Sequence, residues 1–254
     1  KTLDRDELRI NGELITANLY RMERGMARLE AENYYEEGCP KRVIALDVRL
    51  SPQENAAKYF KRYSKAKTAE KMLARLMEQG RAELLYLESV VQEIAQAESE
   101  QDFNDIRAEL TEGGYIRSHG KKQAGFQRKS EPRRFRTEAG FLVLVGRSNR
   151  QNDRLTTRTA EKWDLWFHTQ KIHGSHVILS TSGEQPDAQS IAEAASLAAY
   201  FSQAQSSTKV PVDFTQVKFV KKPAAAKPGM VVYTNYQTVL ADPNEELVKH
   251  LLVK

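Results

Sequence analysis

The sequence predicts an α+β protein: a long helical coiled-coil arm with a small β-hairpin tip subdomain, followed by a mixed α/β domain. A heptad pattern of apolar residues runs from Pro52 to about Glu98. Strand-like and helix-like patterns then alternate over residues 137–254. A basic stretch separates the two. We therefore predict an arm and tip subdomain in residues 1–112, a linker in 113–136 and a second domain in 137–254.

The tip subdomain is predicted from residues 14–46. The segment LITANLY at 14–20 is typical of a short helix. Residues 27–31 alternate apolar and polar side chains, residues 43–46 follow a strand-like pattern less cleanly, and the turn residues Gly38, Cys39 and Pro40 lie between them. This pattern indicates a β-hairpin. It is placed at the far end of the arm because the long helix begins directly after it.

The long helix has a clear start signal and a regular apolar seam. Ser51 is the predicted N-cap, Pro52 takes the first position and Glu54 follows three residues after the cap. The seam consists of Ala56, Tyr59, Tyr63, Ala66, Leu73, Met77, Gly80, Leu84, Leu87, Val91 and Ile94. At about 1.5 Å per residue this helix is roughly 70 Å long. It is therefore an arm rather than part of a compact core.

A seam of that length requires a partner helix. Little sequence precedes the tip subdomain, so we expect the partner upstream of Lys1. A dimer through the exposed seam is a further possibility. The alternative is a single long helix packed on its own domain.

A short helix and a basic linker follow the arm. Residues 102–110 are helical in pattern, and Gly113 and Gly114 end the helix. The linker has a single acid, Glu131, against the basic residues Arg117, Lys121, Lys122, Arg128, Lys129, Arg133, Arg134 and Arg136. Such a stretch is typical either of a flexible arm that contacts phosphates or of a solvated tether.

The second domain is predicted to contain several strands and two longer helical segments. An apolar strand covers residues 141–145, and Ser148 or Asn149 caps a helix that follows it. Further strands are predicted at 165–168, 176–179, 217–220, 231–234 and 239–240, with helices at 187–204 and 247–253. About 120 residues suffice to bury a core of their own.

Charge is divided unevenly along the chain. The net charge is +5, but residues 1–112 hold 18 Lys and Arg against 22 Asp and Glu, whereas residues 113–254 hold 21 against 12. A basic second half is typical of a domain that meets nucleic acid or an anionic membrane surface. A basic domain without such a partner is the alternative.

Cysteine content and hydropathy indicate the cellular compartment of the protein. Cys39 is the single cysteine, which excludes an intramolecular disulfide and favours a reducing compartment. No apolar run approaches the ~20 residues that span a bilayer, and no secretory signal is visible. We expect a cytoplasmic protein without a membrane partner.

The richest functional signal runs from Gly146 to Val177, where arginines and amides alternate with aromatic rings. Phosphate contacts are predicted for Arg147, Arg150 and Arg154, and ribose or base contacts for Asn149, Gln151 and Asn152. Trp166 is a candidate for base stacking, although Trp166 and its neighbour Phe167 face opposite sides of a strand, so one of them belongs to the core. Phosphate contacts are also predicted for Lys221, Lys222 and Lys227. In the structural alternative, Asn149 caps a helix and Asp153 pairs with an arginine.

Asp164, His168 and His176 could form a metal site or an acid–base group. No HExxH pattern, third ligand or serine nucleophile accompanies them, so hydrogen-bonded histidines beside an RNA surface are favoured. His168 and His176 are then candidate RNA contacts. No catalytic residue, metal ligand or cofactor is predicted, and the chain is interpreted as a non-enzymatic binding factor.

Several long motifs resemble the NFACT family, which includes the RqcH or fibronectin-binding protein A-like proteins. The motifs are GRSNRQNDRLT at 146–156, DLWFH at 164–168, GSH at 174–176, VKKP at 220–223 and AKPGMVVYT at 226–234. In the first half, GELITANLY at 12–20 and NAAKYF at 55–60 are also similar. The resemblance covers nearly the whole chain in order. His173 departs from the proline that is frequent in the family.

The resemblance implies a role in ribosome-associated quality control. Family members bind the large ribosomal subunit carrying a peptidyl-tRNA, bring alanyl-tRNA and add alanine to the stalled chain without a template. The present chain resembles only the coiled-coil middle region and the RNA-contacting NFACT-R domain, so alanine tailing by this segment alone is not expected. The family's other name implies a competing hypothesis, a fibronectin-binding adhesin module at the cell surface.

Overall fold

The computed structural model describes residues 2–117 and 130–253. The chain forms two compact units, Lys1–Ala82 and Glu83–Lys254, which are described separately. A 45-residue helix and a later antiparallel sheet confirm the predicted α+β class. In the described ranges, no helix combines the length and apolar character needed to cross a membrane.

The first unit contains the predicted hairpin. Helix α1 (Thr2–Ala17) is followed by a 3₁₀ turn (Leu19–Arg21) and by strands β1 (Arg28–Glu32) and β2 (Lys41–Ala45), which pair antiparallel. Their buried side chains form one core with α1 and the start of the next helix: Leu14, Ile15, Met22, Leu29, Ala31, Ile44 and Ala56. The hairpin prediction is confirmed. The helix prediction was too short, because α1 begins twelve residues before Leu14.

Helix α2 (Pro52–Gln96) starts as predicted. The Ser51 N–H donates to Glu54 at 2.7 Å, and the Glu54 N–H donates to the Ser51 hydroxyl at 3.3 Å, which is a capping box. Helix α1 packs against the start of α2, with the Phe60 ring against Gly12. Within this unit the seam is covered only in part, because Leu73 and Met77 are each about half exposed.

The second unit begins with what we call the helical base, residues 83–112. It comprises the end of α2 and helix α3 (Glu100–Glu112), whose N-cap Ser99 forms a second capping box with Asp102. Tyr86 and Val90 of α2 are buried against Ile106 of α3.

This packing differs from the heptad expectation at the end of α2. The seam residues Leu84, Val91 and Ile94 are exposed, because α3 packs on the side of the helix that carries Tyr86 and Val90. Gly113 ends α3 as predicted.

The rest of the second unit, residues 130–253, is called the sheet module. Its six main strands are β3 (Arg133–Arg136), β4 (Leu142–Val145), β5 (Leu165–Thr169), β6 (Val177–Ser180), β7 (Val210–Gln216) and β10 (Gln237–Ala241). They form one antiparallel sheet in the order β10-β7-β5-β6-β4-β3. Two short strands, β8 (Val220–Lys221) and β9 (Val232–Tyr233), pair with each other. The helices are α4 (Asn149–Arg154), which continues as a π-turn (Leu155–Thr159), α5 (Ala188–Tyr200) and α6 (Glu245–Leu251).

Both faces of the sheet are covered. One face packs on α5 in a large core that includes Phe167 and Leu197. The other face buries Trp166 and Ile178 in a smaller core with Leu155 of the π-turn. Alternating side chains of β5 therefore enter two different cores.

Two strand predictions need correction. Residues Val217–Phe219 form a 3₁₀ turn rather than a strand, and the adjoining strand is only the two-residue β8. Strand β7 was not predicted, because its VPVDFTQ sequence carries polar residues that are buried. Asp213 accepts hydrogen bonds from the hydroxyls of Thr238 (2.6 Å) and Tyr233 (2.7 Å), which makes its burial tolerable.

The predicted basic linker lies largely outside the described residues. Its members Lys121, Lys122, Arg128 and Lys129 fall in residues 118–129. At its end, Arg133–Arg136 form β3 instead of a tether, because Phe135 enters the large core and β3 pairs with β4. The domain boundaries at 112 and 136 stay a prediction.

Candidate nucleic-acid interface

The predicted site centres on α4 and its capping residue. Ser148 is the N-cap, since its side chain accepts from the Gln151 N–H, so Asn149 is the first helical residue and not the cap. A Cβ atom at position 146 would overlap the side-chain amide of Asn152, so this position requires glycine. Asn152 Oδ1 in turn accepts from the His176 N–H at 3.1 Å. These residues hold α4 against the sheet.

Arg147 contacts the acidic helical base. Its guanidinium lies 3.2 Å from Asp102 and 3.3 Å from Glu98, and its Nε donates to the Glu131 carbonyl. The Asp102 side chain is only 1% exposed. Burial acts to raise the pKa of Asp102, but the hydrogen bond to Ser99 and the Arg147 charge outweigh burial and hold the pKa below its ordinary value. Arg147 thus compensates a buried carboxylate.

Three further predicted residues contact the same base. Asn149 Nδ2 donates to Ser89 Oγ at 2.8 Å, and Arg150 pairs with Glu112. Lys227 lies over the rings of Tyr86 and Tyr115 at 5.4 and 5.0 Å.

The Gln151 amide donates to the carbonyl of Ser130, at the start of the sheet module, over 2.7 Å. Gln151 is thus bound within the sheet module, whereas Arg147, Asn149, Arg150 and Lys227 attach the module to the helical base. Their contact with RNA stays a prediction.

Trp166, His168 and His176 form an aromatic cluster in which Trp166 and His176 are buried and His168 is half-buried. The Trp166 ring is 1% exposed, stacks on His168 at 5.7 Å and meets His176 edge-on at 5.2 Å. Phe167 is also fully buried, so the expectation that one of the adjacent rings faces outward is corrected. Both are buried because both faces of the sheet are covered.

The environment of the two histidines disfavours their charged forms. Burial lowers the pKa of His176 to about 3, with a smaller contribution from His168, and burial also lowers the pKa of His168. The His176 Nδ1 atom is 2.8 Å from the Thr156 hydroxyl.

Asp164 does not join the histidines in a hydrogen-bonded group. It accepts from the backbone N–H groups of Glu161 and Thr181, at 2.8 and 2.9 Å. In residues 2–117 and 130–253, no group of three or more His, Cys, Asp or Glu side chains is arranged to hold a metal.

An exposed group of basic residues lies along α4 and the π-turn, beside a cleft that Asp105 of the helical base also lines. Arg150, Arg154 and Arg158 recur at four-residue spacing along α4 and the π-turn and, with Lys222, line a cleft of about 450 Å³. We call these four residues the cationic face. The ion pairs of the described residues include Arg150 but neither Arg154 nor Arg158. Lys222 pairs with Asp153, and the predicted contact Lys221 is exposed.

Arg158 was not among the contacts predicted from the sequence. Trp163, which is 39% exposed, was not predicted either, whereas the predicted Trp166 is buried. The helical spacing from Arg150 would have indicated Arg158. For Trp163 the available signal was an aromatic residue directly after Lys162, outside the strand pattern.

Comparisons with known proteins agree with this architecture. Residues 1–129 match the family model of the NFACT N-terminal and middle domains, and residues 131–235 match that of the NFACT protein RNA binding domain. The solved C-terminal structure of the fibronectin/fibrinogen-binding protein from Streptococcus suis is similar with a TM-score of 0.74 and 32% identity, covering 99% of this chain and 94% of that one.

Curated relatives carry the name Rqc2 homolog RqcH. The Bacillus subtilis protein is 42% identical over 95% of this chain, and the Streptococcus suis protein is 38% identical over 97%. The chain spans 42% and 44% of their lengths. On the strength of the two family models and these relatives, the chain belongs to the NFACT family.

Proposed function

We propose that this chain is the RNA-contacting part of a ribosome quality-control factor, and that the cationic face binds RNA phosphates. The observation that carries the proposal is the row of arginines at 150, 154 and 158 beside Lys222, in a module that matches an RNA-binding family model. Guanidinium groups at helical spacing suit successive phosphate contacts. No chemical step is proposed for this chain.

The predicted residues fall into two groups with different proposed roles. The helical base contacts Arg147, Asn149 and Lys227, so their proposed role is to fix the orientation of the sheet module. Arg154 and Arg158 are exposed and free of ion pairs with described residues, so they can meet phosphate without first breaking a contact. RNA binding then needs no rearrangement of the second unit.

The partners are proposed from the family. The large ribosomal subunit with its peptidyl-tRNA is the proposed binding site, in the cytoplasm, and alanyl-tRNA is the proposed second ligand. Alanine tailing of stalled chains is proposed for the complete protein. This chain spans less than half the length of the curated relatives that it matches. Dimerisation through the exposed residues of α2 stays a prediction.

Filter binding of the chain to tRNA and to large-subunit rRNA over a salt series tests the proposal. We expect binding at about 50 mM salt and a linear fall of log affinity with log salt. The double variant Arg154→Ala/Arg158→Ala should reduce the slope by about two. A matched control, Arg75→Ala on the exposed part of α2, should leave the slope unchanged. No affinity near 50 mM salt would contradict the proposal.

Fibronectin binding is the second candidate, because one similar solved structure is named for it. To distinguish the two candidates, the same chain is offered at physiological salt to immobilised fibronectin and to purified large ribosomal subunits, and its retention by each is measured. Retention by ribosomal subunits and not by fibronectin supports the RNA proposal. Retention by fibronectin alone would replace it.

A further inference from the structure

Two aromatic rings, each paired with a lysine, lie on the surface of the sheet module. The Lys162 ammonium is over the Trp163 ring, 5.6 Å from its centroid, and the Lys218 ammonium is over the Phe219 ring at 4.9 Å. Trp163 is 39% exposed, and Phe219 is partly exposed. Among the described residues, none of the contacts that attach the sheet module to the helical base involves these four, so packing against the base does not explain their position.

The two segments that carry these rings are tied to each other. The Lys218 N–H donates to the Lys162 carbonyl at 3.2 Å, and the Val217 N–H donates to the Asp164 carbonyl at 2.9 Å. The buried Asp164 carboxylate accepts from the Glu161 and Thr181 N–H groups and so holds the turn before Trp163. The rings and lysines are thus presented on a fixed backbone, which reduces the entropy lost when a ligand binds.

Indole and phenyl faces with adjacent ammonium groups suit an unpaired nucleotide. A base stacks on the aromatic ring without regard to its identity, and a flexible lysine reaches the neighbouring phosphate. The patch also continues the cationic face along the chain, since Lys162 follows Arg158 by four residues. An apolar protein partner would not require two cations over the two rings.

We propose that Lys162, Trp163, Lys218 and Phe219 form a stacking subsite for unpaired bases of RNA. The inference rests on the proposed RNA-binding function and deepens it: the cationic face binds backbone phosphates, and this subsite favours single-stranded loops or ends. Trp163 is the principal ring, and Asp164 is its positioning residue. Duplex RNA, whose bases are already stacked, does not use the subsite.

Affinity measurements on a single-stranded oligouridylate and a duplex RNA test the subsite. Trp163→Ala should weaken binding of the single strand by about tenfold and leave duplex binding unchanged. Its salt slope should match the wild type, because no charge is removed. Trp163→Phe should keep most of the affinity. Tyr236→Ala, at another ring in the same unit that is 48% exposed, is the matched control and should bind like the wild type.

Tryptophan fluorescence gives an independent readout, since the chain has two tryptophans and Trp166 is buried. Oligouridylate should quench the wild type and not Trp163→Phe.

If the wild type binds RNA with the expected salt slope but Trp163→Ala binds the single strand equally well, the subsite is wrong and the proposed function stands. If the wild type binds no RNA, both the proposed function and the subsite are wrong. If Trp163→Ala weakens binding to large ribosomal subunits but not to oligouridylate, the rings meet a ribosomal protein, which also overturns the subsite.

Discussion

The sheet module has two groups of residues that look alike in sequence and differ in structure. In the docked group, Arg147 and Asn149 contact the acidic helical base. In the exposed group, Arg154, Arg158 and Trp163 are accessible to solvent. The docked group shows that a basic motif can serve internal assembly as well as an external polyanion. Which of the two it serves depends on where the chain's own carboxylates lie.

The two tryptophans provide the largest expected contrast. Trp166→Ala should lower the free energy of unfolding by about 3–5 kcal/mol, because the ring fills the smaller core with Leu155 and Ile178. Trp163→Ala should change it by no more than about 0.5 kcal/mol. Urea denaturation of both variants measures the difference. Equal losses of stability would mean that the two rings do not occupy different environments.

The arginines provide the second contrast. Arg147→Ala should destabilise the protein by about 2–3 kcal/mol, because it leaves the buried Asp102 carboxylate without its cation. Arg154→Ala should be within about 0.5 kcal/mol of the wild type while it weakens RNA binding. A double-mutant cycle of Arg147→Ala with Asp102→Ala isolates the pair. A coupling energy near zero would contradict the docking role of Arg147.

Acid should weaken the buried histidine cluster. The pKa of His176 is lowered to about 3 in the folded protein, so folding keeps the ring neutral while the unfolded chain protonates it below about 6.5. The stability that depends on the neutral His176 ring is fully present above pH 6.5 and is lost as the pH falls toward 3. At pH 5 the free energy of unfolding should be lower by about 2 kcal/mol. Urea unfolding at pH 7.5 and pH 5 should show this loss. His176→Asn should reduce the pH dependence.

A buried carboxylate in the helical base, that of Glu93, should have the smallest effect on stability. Its pH dependence has the opposite sign to that of His176. Burial, and then the charge of Glu109, raise the pKa of Glu93 well above its ordinary value. Both Glu93 carboxylate oxygens are buried without a hydrogen-bond partner among the described residues. Stability from this group is therefore present at low pH and is lost as the pH rises through the folded-state pKa.

Glu93→Gln should consequently stabilise the protein by about 1–2 kcal/mol at pH 8 and by less at pH 5. Glu78→Gln, at an exposed position of the same helix, is the control and should have no such effect. Thermal unfolding at both pH values measures the gain. A loss of stability at pH 8 would show that the Glu93 charge is needed.

Much of the fold was predictable because its signals are local. The predicted capping box at Ser51 and the alternation of the β1–β2 hairpin involve residues within a few positions of one another. Strand β7 escaped prediction because Asp213 and Thr215 are buried. Their hydrogen-bond partners are nineteen or more residues away in sequence, so no local pattern predicts the burial of these polar side chains.

The candidate site was predicted as a region, but the role of each residue was not. The cationic helix after Gly146 was recognised, and the structure confirms a helix with a Ser148 cap. That Asn149 would meet Ser89, sixty residues earlier, could not be read from spacing. Nor could the exposure of Trp163 and the burial of Trp166, since both follow from what covers each face of the sheet.

The sequence by itself determined the family, the long helix, the hairpin and the concentration of positive charge in the second half. These depend on composition, on periodicity and on contacts between near neighbours. Only the tertiary structure decided which cations compensate buried carboxylates and which remain exposed. Long-range contacts set desolvation and pairing, and these determine whether an arginine or a tryptophan stabilises the fold or faces solvent.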